Sequence, residues 1–557
     1  MDMSDNRVNS SVGYVYDSRS HSNLSSLEKN CNQIFLKGPA LTRDFFDKIQ
    51  NDVVPPKTEF FGYTMSTRRF FLLTALFLLF TFSCMGTITM WFTNVYKKQI
   101  NSMLVISEES ETYEMWRAPT VKSYLKIYIF NYTNVERFEL RKDKKLQVKE
   151  LGPYVYQETI EKVNVKFNKV DGTVSFQEKR VYTFRPELSK GSKYDSVMVP
   201  NIPMLTSASF ARQYNFFLRV SFSTILTSIS AKPFIKLTVD EFINGYEDNL
   251  YDLGKNYLKF NDMRVFEHFG LLALKAGLQP DIVTLNTGLH NINKLGQVEK
   301  YNGEREFTFW NTDSCNKIRS SDGVMYPISD VNKKADLEFF MPHMCRKIPL
   351  NYNNSVTILD NIPVHRYKFP ANVFDSGYEN DHFCYCTNDD GSCPPHGIFN
   401  ATPCAFGSPL FYSWPHFAES DPDLLEAVSG LRNNFSVDSF IDIHPKLGLL
   451  VGGKIQFQVN VQLQKSYGIL QLNPYPNNLM IPTVWIEGVL DSKDIPQDLL
   501  TIIYAMTFTV RNVELGLKYG TLLTTMVTLT CIFLILKKRR DIRSHPHSFG
   551  RDIEFDQ

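Results

Sequence analysis

The amino-acid sequence predicts a membrane protein of the α+β class, with two transmembrane helices flanking one large ectodomain. Three observations carry this prediction. Two charge-poor apolar runs stand far apart in a chain of 557 residues. The segment between them is rich in alternating apolar and polar residues, which is typical of strands, and it contains one long apolar block of helical character. No linker or internal repeat divides that segment, so we expect a single ectodomain.

The first apolar run, residues 70–92, contains no charged side chain and follows Arg68 and Arg69. At 1.5 Å per residue it is long enough to cross a hydrocarbon core of roughly 30 Å. A cleaved signal peptide would start near residue 1 and have a shorter apolar core, whereas this run follows a polar segment at residues 1–69. We therefore interpret it as a permanent anchor.

The second apolar run, residues 516–536, has Lys518 in its first turn, where the side chain can extend toward the interface. A basic cluster follows at once: Lys537, Lys538, Arg539, Arg540 and Arg543. Because basic residues favour the cytoplasmic side, we expect residues 1–69 and 537–557 to be cytoplasmic and residues 93–515 to be extracellular or lumenal. The first tail is expected to be mostly disordered, with one short amphipathic helix at residues 41–49.

Four threonines of the second run share one helix face: Thr521, Thr524, Thr525 and Thr528. One interpretation is that this face packs on the first span or on a second copy of the chain, which would give a homo-oligomer. The other is a pore lining, as in a ligand-gated channel. We favour packing, because no acidic or amide side chain accompanies the threonines.

Composition restricts the partners. The 60 basic and 59 acidic residues leave a net charge of +1, so no strong positive field would attract nucleic acid. Aromatic residues make up 13% of the chain, a content that suits a β-rich core or the wall of an apolar cavity. Nothing in the sequence points to a cofactor, and we expect none.

Six of the nine cysteines cluster in the ectodomain, and an even set on the oxidising side predicts three disulfides. They are Cys315, Cys345, Cys384, Cys386, Cys393 and Cys404. Cys384 and Cys386 are too close together to favour pairing with each other. A zinc site with His382 or His396 is the alternative, but the paired spacings of common zinc motifs are missing.

Four Asn-x-Ser/Thr sequons in the ectodomain are predicted glycosylation sites: Asn131, Asn353, Asn400 and Asn434. They agree with a segment that passes through the secretory pathway.

The sequence of the ectodomain predicts strands toward both ends and helices in the middle. Strands are predicted at residues 121–133, 151–158, 163–167, 173–184, 306–310, 364–369, 455–464 and 479–485. Asp171-Gly172 marks a hairpin turn. Residues 205–230 form the apolar block, and Thr238 with Glu241 fits a capping box that starts another helix.

If the protein were an enzyme, its candidate catalytic residues would be Ser413 and His416, with Asp442 and His444 further along the chain. A serine hydrolase also needs a nucleophile elbow and an oxyanion site, and no Gly-x-Ser-x-Gly occurs in the sequence. We therefore predict that the protein is not an enzyme.

Several motifs, in one order, carry a family resemblance over residues 130–536. They include Leu151-Gly-Pro-Tyr-Val-Tyr156, Asn244-Gly-Tyr-Glu-Asp248, Phe383-Cys-Tyr-Cys386, Ser413-Trp-Pro-His-Phe417 and Ile441-Asp-Ile-His-Pro-Lys-Leu-Gly448. Together they resemble the class B scavenger receptors, a family that includes the fatty-acid translocase, the lysosomal integral membrane proteins and the insect sensory-neuron membrane proteins.

The resemblance implies an architecture: a twisted antiparallel β-barrel core, an apical helical bundle that captures ligands, and an internal hydrophobic tunnel that passes lipid toward the bilayer. It also implies the disulfides Cys315–Cys384, Cys345–Cys404 and Cys386–Cys393. Residues 205–251 map onto the bundle. The expected partners are lipids, fatty acids, sterol esters or lipoprotein particles.

This chain departs from the family at cationic positions of the bundle and cavity, where it has Ser228, Ser230 and Ala405. The cations left to capture an anionic ligand are Arg212, Arg219, Lys232 and Lys236. The C-terminal tail lacks an acidic dileucine signal, so we expect the plasma membrane, with the endosomal or lysosomal membrane as the alternative. The predicted function is a cell-surface scavenger-type receptor that binds and transfers lipid. An adhesion, tethering or phagocytic receptor without lipid transfer is the alternative, followed by a ligand-gated channel.

Overall fold

The computed structural model describes residues 57–60, 63–260, 265, 267–359, 361–376, 383–386, 393–405 and 407–544. The short helix expected at residues 41–49, and most of the predicted tail, lie outside the described residues. Two compact units divide the chain: residues 89–518 form one, and the segments up to residue 88 and from residue 519 form the other.

The strands are, in chain order, β1 Lys57–Phe60, β2 Tyr63–Ser66, β3 Ser123–Tyr132, β4 Leu146–Asn168, β5 Thr173–Phe184, β6 Ser196–Pro200, β7 Phe234–Thr238, β8 Gly277–Leu278, β9 Val283–Asn286, β10 Val298–Tyr301, β11 Leu337–Met341, β12 Arg346–Ile358, β13 Ile362–Lys368, β14 Ile398–Asn400, β15 Leu410–Ser413, β16 Val428–Ser429, β17 Phe440–His444, β18 Leu449–Leu463 and β19 Leu479–Leu490.

The α-helices are α1 Thr67–Phe92, α2 Val95–Met103, α3 Glu111–Arg117, α4 Val135–Glu139, α5 Ile202–Ala211, α6 Phe216–Ser228, α7 Val239–Asn244, α8 Asn249–Phe260, α9 Asp313–Asn316, α10 Ile328–Lys333, α11 Pro422–Glu426, α12 Gln497–Tyr504 and α13 Val510–Ser544. A π-helical segment, Ala505–Thr509, joins α12 to α13.

The larger unit contains a mixed α/β fold around a nearly closed antiparallel sheet. Its strand order is β10-β9-β5-β4-β3-β19-β18-β17-β13-β12-β11, and β8, β14, β15 and β16 pair at its sides. The two edges approach each other through one short segment: Val298 N donates to Ser320 O at 2.8 Å, and Phe340 N donates to Ser321 O at 2.8 Å. The barrel-like core expected from the family resemblance is confirmed.

Alternation along the central strands separates two kinds of surface. Ile127, Ile129 and Ile486 lie in an apolar cluster on one side of the sheet. Their neighbours point to the other side, where Tyr128 stacks on Trp485 with ring centroids 3.7 Å apart. This period of two is why the sequence patterns of β3 and β19 identify them as strands.

The structure corrects three details of the predicted elements. The separate strands expected at residues 151–158 and 163–167 are one strand, β4, with a register shift between Val163 and Lys166. The single helix expected at residues 205–230 is two helices, because Asn215 caps a new helix start. Residues 306–310 are not a strand: Trp310 instead donates through Nε1 to Cys345 O at 2.7 Å and packs in a core beside the disulfides.

The disulfides of the structure are Cys315–Cys384, Cys345–Cys404 and Cys386–Cys393, the same three pairs that the resemblance implies. Cys345 directly precedes β12, and the other five cysteines also lie outside the strands, in segments with little regular structure. Covalent links there replace the ladder hydrogen bonds that long strands provide elsewhere in the sheet.

Two helices are long and apolar enough to cross a membrane: Thr67–Phe92, and a continuous helix over Gln497–Lys537. Both predicted spans lie within them. Ser83 Oγ is 2.5 Å from Thr525 Oγ1, and a Cβ added to Gly86 would lie 3.0 Å from Thr521 Cγ2. The threonine face therefore packs on the first span, so it gives no support to a pore.

Candidate functional site

Helices α5 and α6 form the part of the larger unit where the predicted ligand-binding residues lie. Asn201 starts α5 by accepting a hydrogen bond from Met204 N at 3.0 Å, and Asn215 starts α6 by accepting from Leu218 N at 3.1 Å. Asparagine is a preferred N-cap because its side-chain oxygen satisfies an otherwise unpaired amide of the first turn. The two caps divide the apolar block into a pair of short helices.

The two helices differ in burial. Helix α5 buries Met204, Leu205 and Ala208 in the core cluster that also contains Phe130 and Trp485. Helix α6 buries only Ser223 and Leu226. Most of α6 is thus apolar in sequence but exposed in the structure, and this combination needs a functional explanation.

A third element comes from the far end of the chain. The segment between β18 and β19 packs on α6 through Gln471, whose Oε1 accepts from Ser223 Oγ at 2.9 Å and whose Nε2 donates to Thr227 Oγ1 at 2.9 Å. Gly468, with φ +102°, lies so close to α6 that an added Cβ would be 3.4 Å from Arg219 Cβ. This segment fixes the position of α6.

Together these elements present an exposed apolar surface, which we call the cap surface. Its members are Tyr214, Phe216, Phe217, Leu218, Tyr467 and Leu470. Phe217 and Tyr467 are each 80% exposed and Leu470 is 67% exposed. Phe216 and Tyr467 stack with centroids 5.5 Å apart, so the surface is continuous across the two chain segments. Contiguous exposed apolar patches of this kind mark interaction sites.

The charged residues in the two segments that build the cap surface are all basic. No aspartate or glutamate occurs at residues 196–239 or 443–486, the segments that build it. Arg212 follows α5 and donates to the side chain of Gln464, and Arg219 lies on α6. Lys232 and Lys236 are exposed, but they come after the C-terminal end of α6, which is about 20 Å long at 1.5 Å per residue. The structure thus brings Arg219 to the cap surface and leaves the two lysines at the other end of the helix.

Sequence reasoning missed the contribution of residues 466–472. Their pattern predicts neither strand nor helix, and the expected strand ends at residue 464, one residue beyond the observed end of β18. The local signal in the sequence was two large apolar residues, Tyr467 and Leu470, beside a glycine that favours a turn.

The residues of the enzymatic alternative are held by separate partners. Ser413 Oγ donates to Trp414 O at 2.9 Å, and Asp442 forms a bidentate ion pair with Arg366 at 2.8 Å. His416 accepts at Nδ1 from Arg432 N and therefore donates from Nε2 to Glu150 Oε2, at 2.6 Å. Serine and histidine are not paired, and these groups act as structural contacts.

Glu150 is the centre of a buried polar cluster. Burial alone would raise its pKa, but hydrogen bonds from His416 and Trp485 outweigh burial, and the pKa of Glu150 lies below its ordinary value. The guanidinium of Arg432 also forms an ion pair with Glu150. The carboxylate is therefore kept ionised where it links β4, β19 and the turn after β15. Among the described residues, no group of three or more His, Cys, Asp or Glu side chains is arranged to hold a metal ion.

His444 connects β17 to the π-helical segment. Its Nδ1 accepts from Leu447 N at 3.3 Å, so its Nε2 carries the proton and donates to Thr507 Oγ1 at 2.8 Å. Lys446 donates to Thr507 O at 3.0 Å. Burial, with Lys446 and His365 nearby, lowers the pKa of His444 to about 4. The neutral ring is thus an integral part of this junction.

The four predicted glycosylation sites differ in accessibility. Asn353 and Asn434 are exposed, and Asn131 is half-buried, with Oδ1 accepting from Met198 N at 2.8 Å. Asn400 lies in β14 and is only 5% exposed. Asn400 is therefore the least accessible of the four predicted sites.

Comparison with known proteins agrees with this architecture. The sequence model of the CD36 family matches residues 73–536. Scavenger receptor class B member 1 of Bos taurus is 31% identical over 83% of this chain and 87% of its own length. The Mus musculus protein of the same name is 32% identical over 72% of this chain and 77% of its own length. Lysosome membrane protein 2 of Homo sapiens is 27% identical over 79% of this chain and 91% of its own length. The chain therefore belongs to the CD36 family, which is the family that its sequence motifs predict.

Proposed function

We propose that this protein is a scavenger-type receptor that binds lipids or lipid-bearing particles at the cap surface and transfers lipid to the membrane. The observation that carries the proposal is the exposure of Phe217, Tyr467 and Leu470 on a rigidly supported surface that lacks acidic residues. Its relatives named scavenger receptor class B member 1 support the receptor role. We place the protein at the plasma membrane, with the lysosomal membrane as the alternative that the relatives named lysosome membrane protein 2 suggest.

Transfer through an internal tunnel is the mechanism we infer for the second step. Each methylene of an acyl chain costs about 0.8 kcal/mol when it is exposed to water. A covered apolar route from the cap surface to the bilayer would avoid this cost along the whole chain of a lipid. The nearly closed sheet and its apolar clusters are compatible with such a route.

The proposal is tested by uptake in cells that express the full chain. Phe217→Ser with Leu470→Ser should lower the uptake of fluorescent cholesteryl ester and phospholipid several-fold at equal surface expression. Val170→Ser is the matched control, because this substitution removes an exposed apolar side chain elsewhere in the protein. Val170 is 87% exposed in the β4–β5 turn. Equal uptake by all three proteins would contradict a role for the cap surface.

The tethering alternative makes a different prediction for particles. Particles labelled in both lipid and protein should deliver lipid in excess of protein if the receptor transfers lipid. A ratio that stays equal to that of the particle would mean that the receptor only holds or internalises whole particles. Surface labelling of the same cells would decide between the plasma membrane and an internal membrane.

A further inference from the structure

The basic ends of the two membrane spans lie at the same depth. Helices α1 and α13 run antiparallel and pack together, with Ser83 Oγ 2.5 Å from Thr525 Oγ1. Counted from this contact at 1.5 Å per residue, residues 68–69 lie about 21–23 Å along α1. Residues 537–540 lie about 18–23 Å from it along α13, toward the same side of the membrane. The packing therefore brings two basic segments that are far apart in sequence to one level.

A short hairpin adds a cation at this level. Strands β1 and β2 pair directly before α1, with Lys57 opposite Ser66. Lys57 thus occupies the base of the hairpin, beside the start of α1 at Thr67. Glu59, the acidic residue of β1, pairs with Thr64 nearer the turn. The pairing therefore places the lysine closer to the start of α1 than the carboxylate.

The cations at this level have few counter-charges. We call them the basic collar; they are Lys57, Arg68, Arg69, Lys537, Lys538, Arg539, Arg540 and Arg543. No aspartate or glutamate occurs at residues 60–107 or 515–540, and Asp541 is the one acidic residue of the last helical turns. In the part of the chain that the structure describes, Arg68, Arg69 and Lys537 are exposed and make no ion pair. The collar is therefore left to pair with groups outside the chain.

The orientation of the spans does not by itself require this arrangement, because cations within about 15–20 residues of a span can set its orientation. Here two packed helices, with axes typically about 8–10 Å apart, present their cations to one region the size of a headgroup. The N-terminal end of α1 adds the partial positive charge of the helix dipole. A headgroup with several phosphate charges can pair with both helices at once, whereas phosphatidylserine carries a single net charge.

We propose that the basic collar binds a phospholipid with a multiply phosphorylated headgroup. Its arginines pair with phosphate oxygens through charge-assisted, bidentate hydrogen bonds, and its lysines act as point charges. The predicted orientation of the spans places this lipid in the cytoplasmic leaflet. The site does not depend on the lipid transfer proposed for the cap surface.

The lipid selectivity of the full chain in phosphatidylcholine vesicles tests this site. The probes are phosphatidylinositol 4,5-bisphosphate, phosphatidylserine and phosphatidylcholine, each with a spin label on an acyl chain. Electron paramagnetic resonance measures the fraction of each probe whose motion the protein restricts. One cation near the membrane surface contributes about fivefold to the binding of an anionic lipid. The wild type should therefore prefer the bisphosphate over phosphatidylcholine by at least about 30-fold, and phosphatidylserine by no more than about fivefold.

Two double variants test whether both helices contribute. Arg68→Gln with Arg69→Gln should lower the preference for the bisphosphate by at least about fivefold, although most of the collar stays on α13. Lys537→Gln with Lys538→Gln should lower it by a similar factor. Surface labelling of the cells before purification verifies that each variant is inserted as the wild type is.

The matched control is Lys97→Gln with Lys98→Gln. It also removes two exposed lysines, but these lie on α2, beyond the other end of the first span. The control should keep its preference for the bisphosphate within about twofold of the wild type, because charges more than a Debye length away are largely screened.

Three outcomes would overturn the proposal. A wild type that restricts the bisphosphate no more than phosphatidylserine at equal lipid charge would have only a diffuse positive field. An unchanged preference in the Arg68→Gln and Arg69→Gln variant would confine binding to α13, and a site shared by two helices would be absent. An equal loss in the control would mean that any pair of cations near the membrane has the same effect.

Discussion

The His444 junction predicts a stability that depends on pH. The folded pKa of His444 is about 4, whereas an unfolded histidine has a pKa of about 6.5. Between these values the unfolded chain binds a proton that the folded chain does not bind, so the stability falls as the pH falls through this window. From pH 7 to pH 5 the loss is about 2 kcal/mol.

The physical cause is that a protonated His444 would turn a hydrogen-bond donor toward another donor. Protonation would place a hydrogen on Nδ1, which faces the Leu447 amide hydrogen, and would bring a positive charge close to Lys446. The consequence should appear locally in the π-helical segment, because His444 holds Thr507.

Hydrogen–deuterium exchange of the amides of residues 503–510 measures this effect in the full-length protein. After correction for intrinsic exchange, the wild type should lose protection about 30-fold from pH 7 to pH 5, the equivalent of about 2 kcal/mol. His444→Gln should lower the protection at pH 7 and remove most of its pH dependence. His290→Gln, in an exposed turn, should behave as the wild type does. An equal pH dependence in the wild type and in His444→Gln would refute the reasoning.

Three further predictions concern the spans, the glycans and the cap. Cysteines placed at Ser83 and Thr525, with the native span cysteines replaced by serine, should form an intramolecular disulfide on mild oxidation, because the two hydroxyl oxygens are 2.5 Å apart; a cross-link only between two copies would contradict the packing. Asn353→Gln should increase the electrophoretic mobility of the mature protein, whereas Asn400→Gln should not, because Asn400 is buried; a shift for Asn400→Gln would show that this strand is accessible to the glycosylation machinery. Gln471→Ala should lower the stability of the cap by about 1–2 kcal/mol through the loss of its hydrogen bonds to α6, seen as faster exchange in α6; unchanged exchange would mean that packing alone holds the helix.

Much of the fold could be predicted from the sequence because its signals are local. The period of two in β3 and β19 reflects which side of a sheet each residue faces, and the Thr238–Glu241 capping box is complete in the structure. Errors arose where one residue changed a local outcome: Asn215 splits the apolar block into two helices, and a register shift carries β4 through the break expected near residue 160. The aromatic residues at positions 306–310 predict a strand. In the structure Trp310 instead donates a hydrogen bond to Cys345 in the disulfide region.

The sequence by itself determined the two membrane spans, the α+β class, the family and the set of cations from which a ligand site could be built. These follow from composition, periodicity and motif order, which do not depend on how distant segments meet. Only the tertiary structure decided that the threonine face packs on the first span, that Asn400 is buried, and that residues 466–472 complete the cap surface. It also singled out Arg219 from four similar cations. Burial and proximity are properties of a three-dimensional neighbourhood, and here that neighbourhood joins residues almost 250 positions apart.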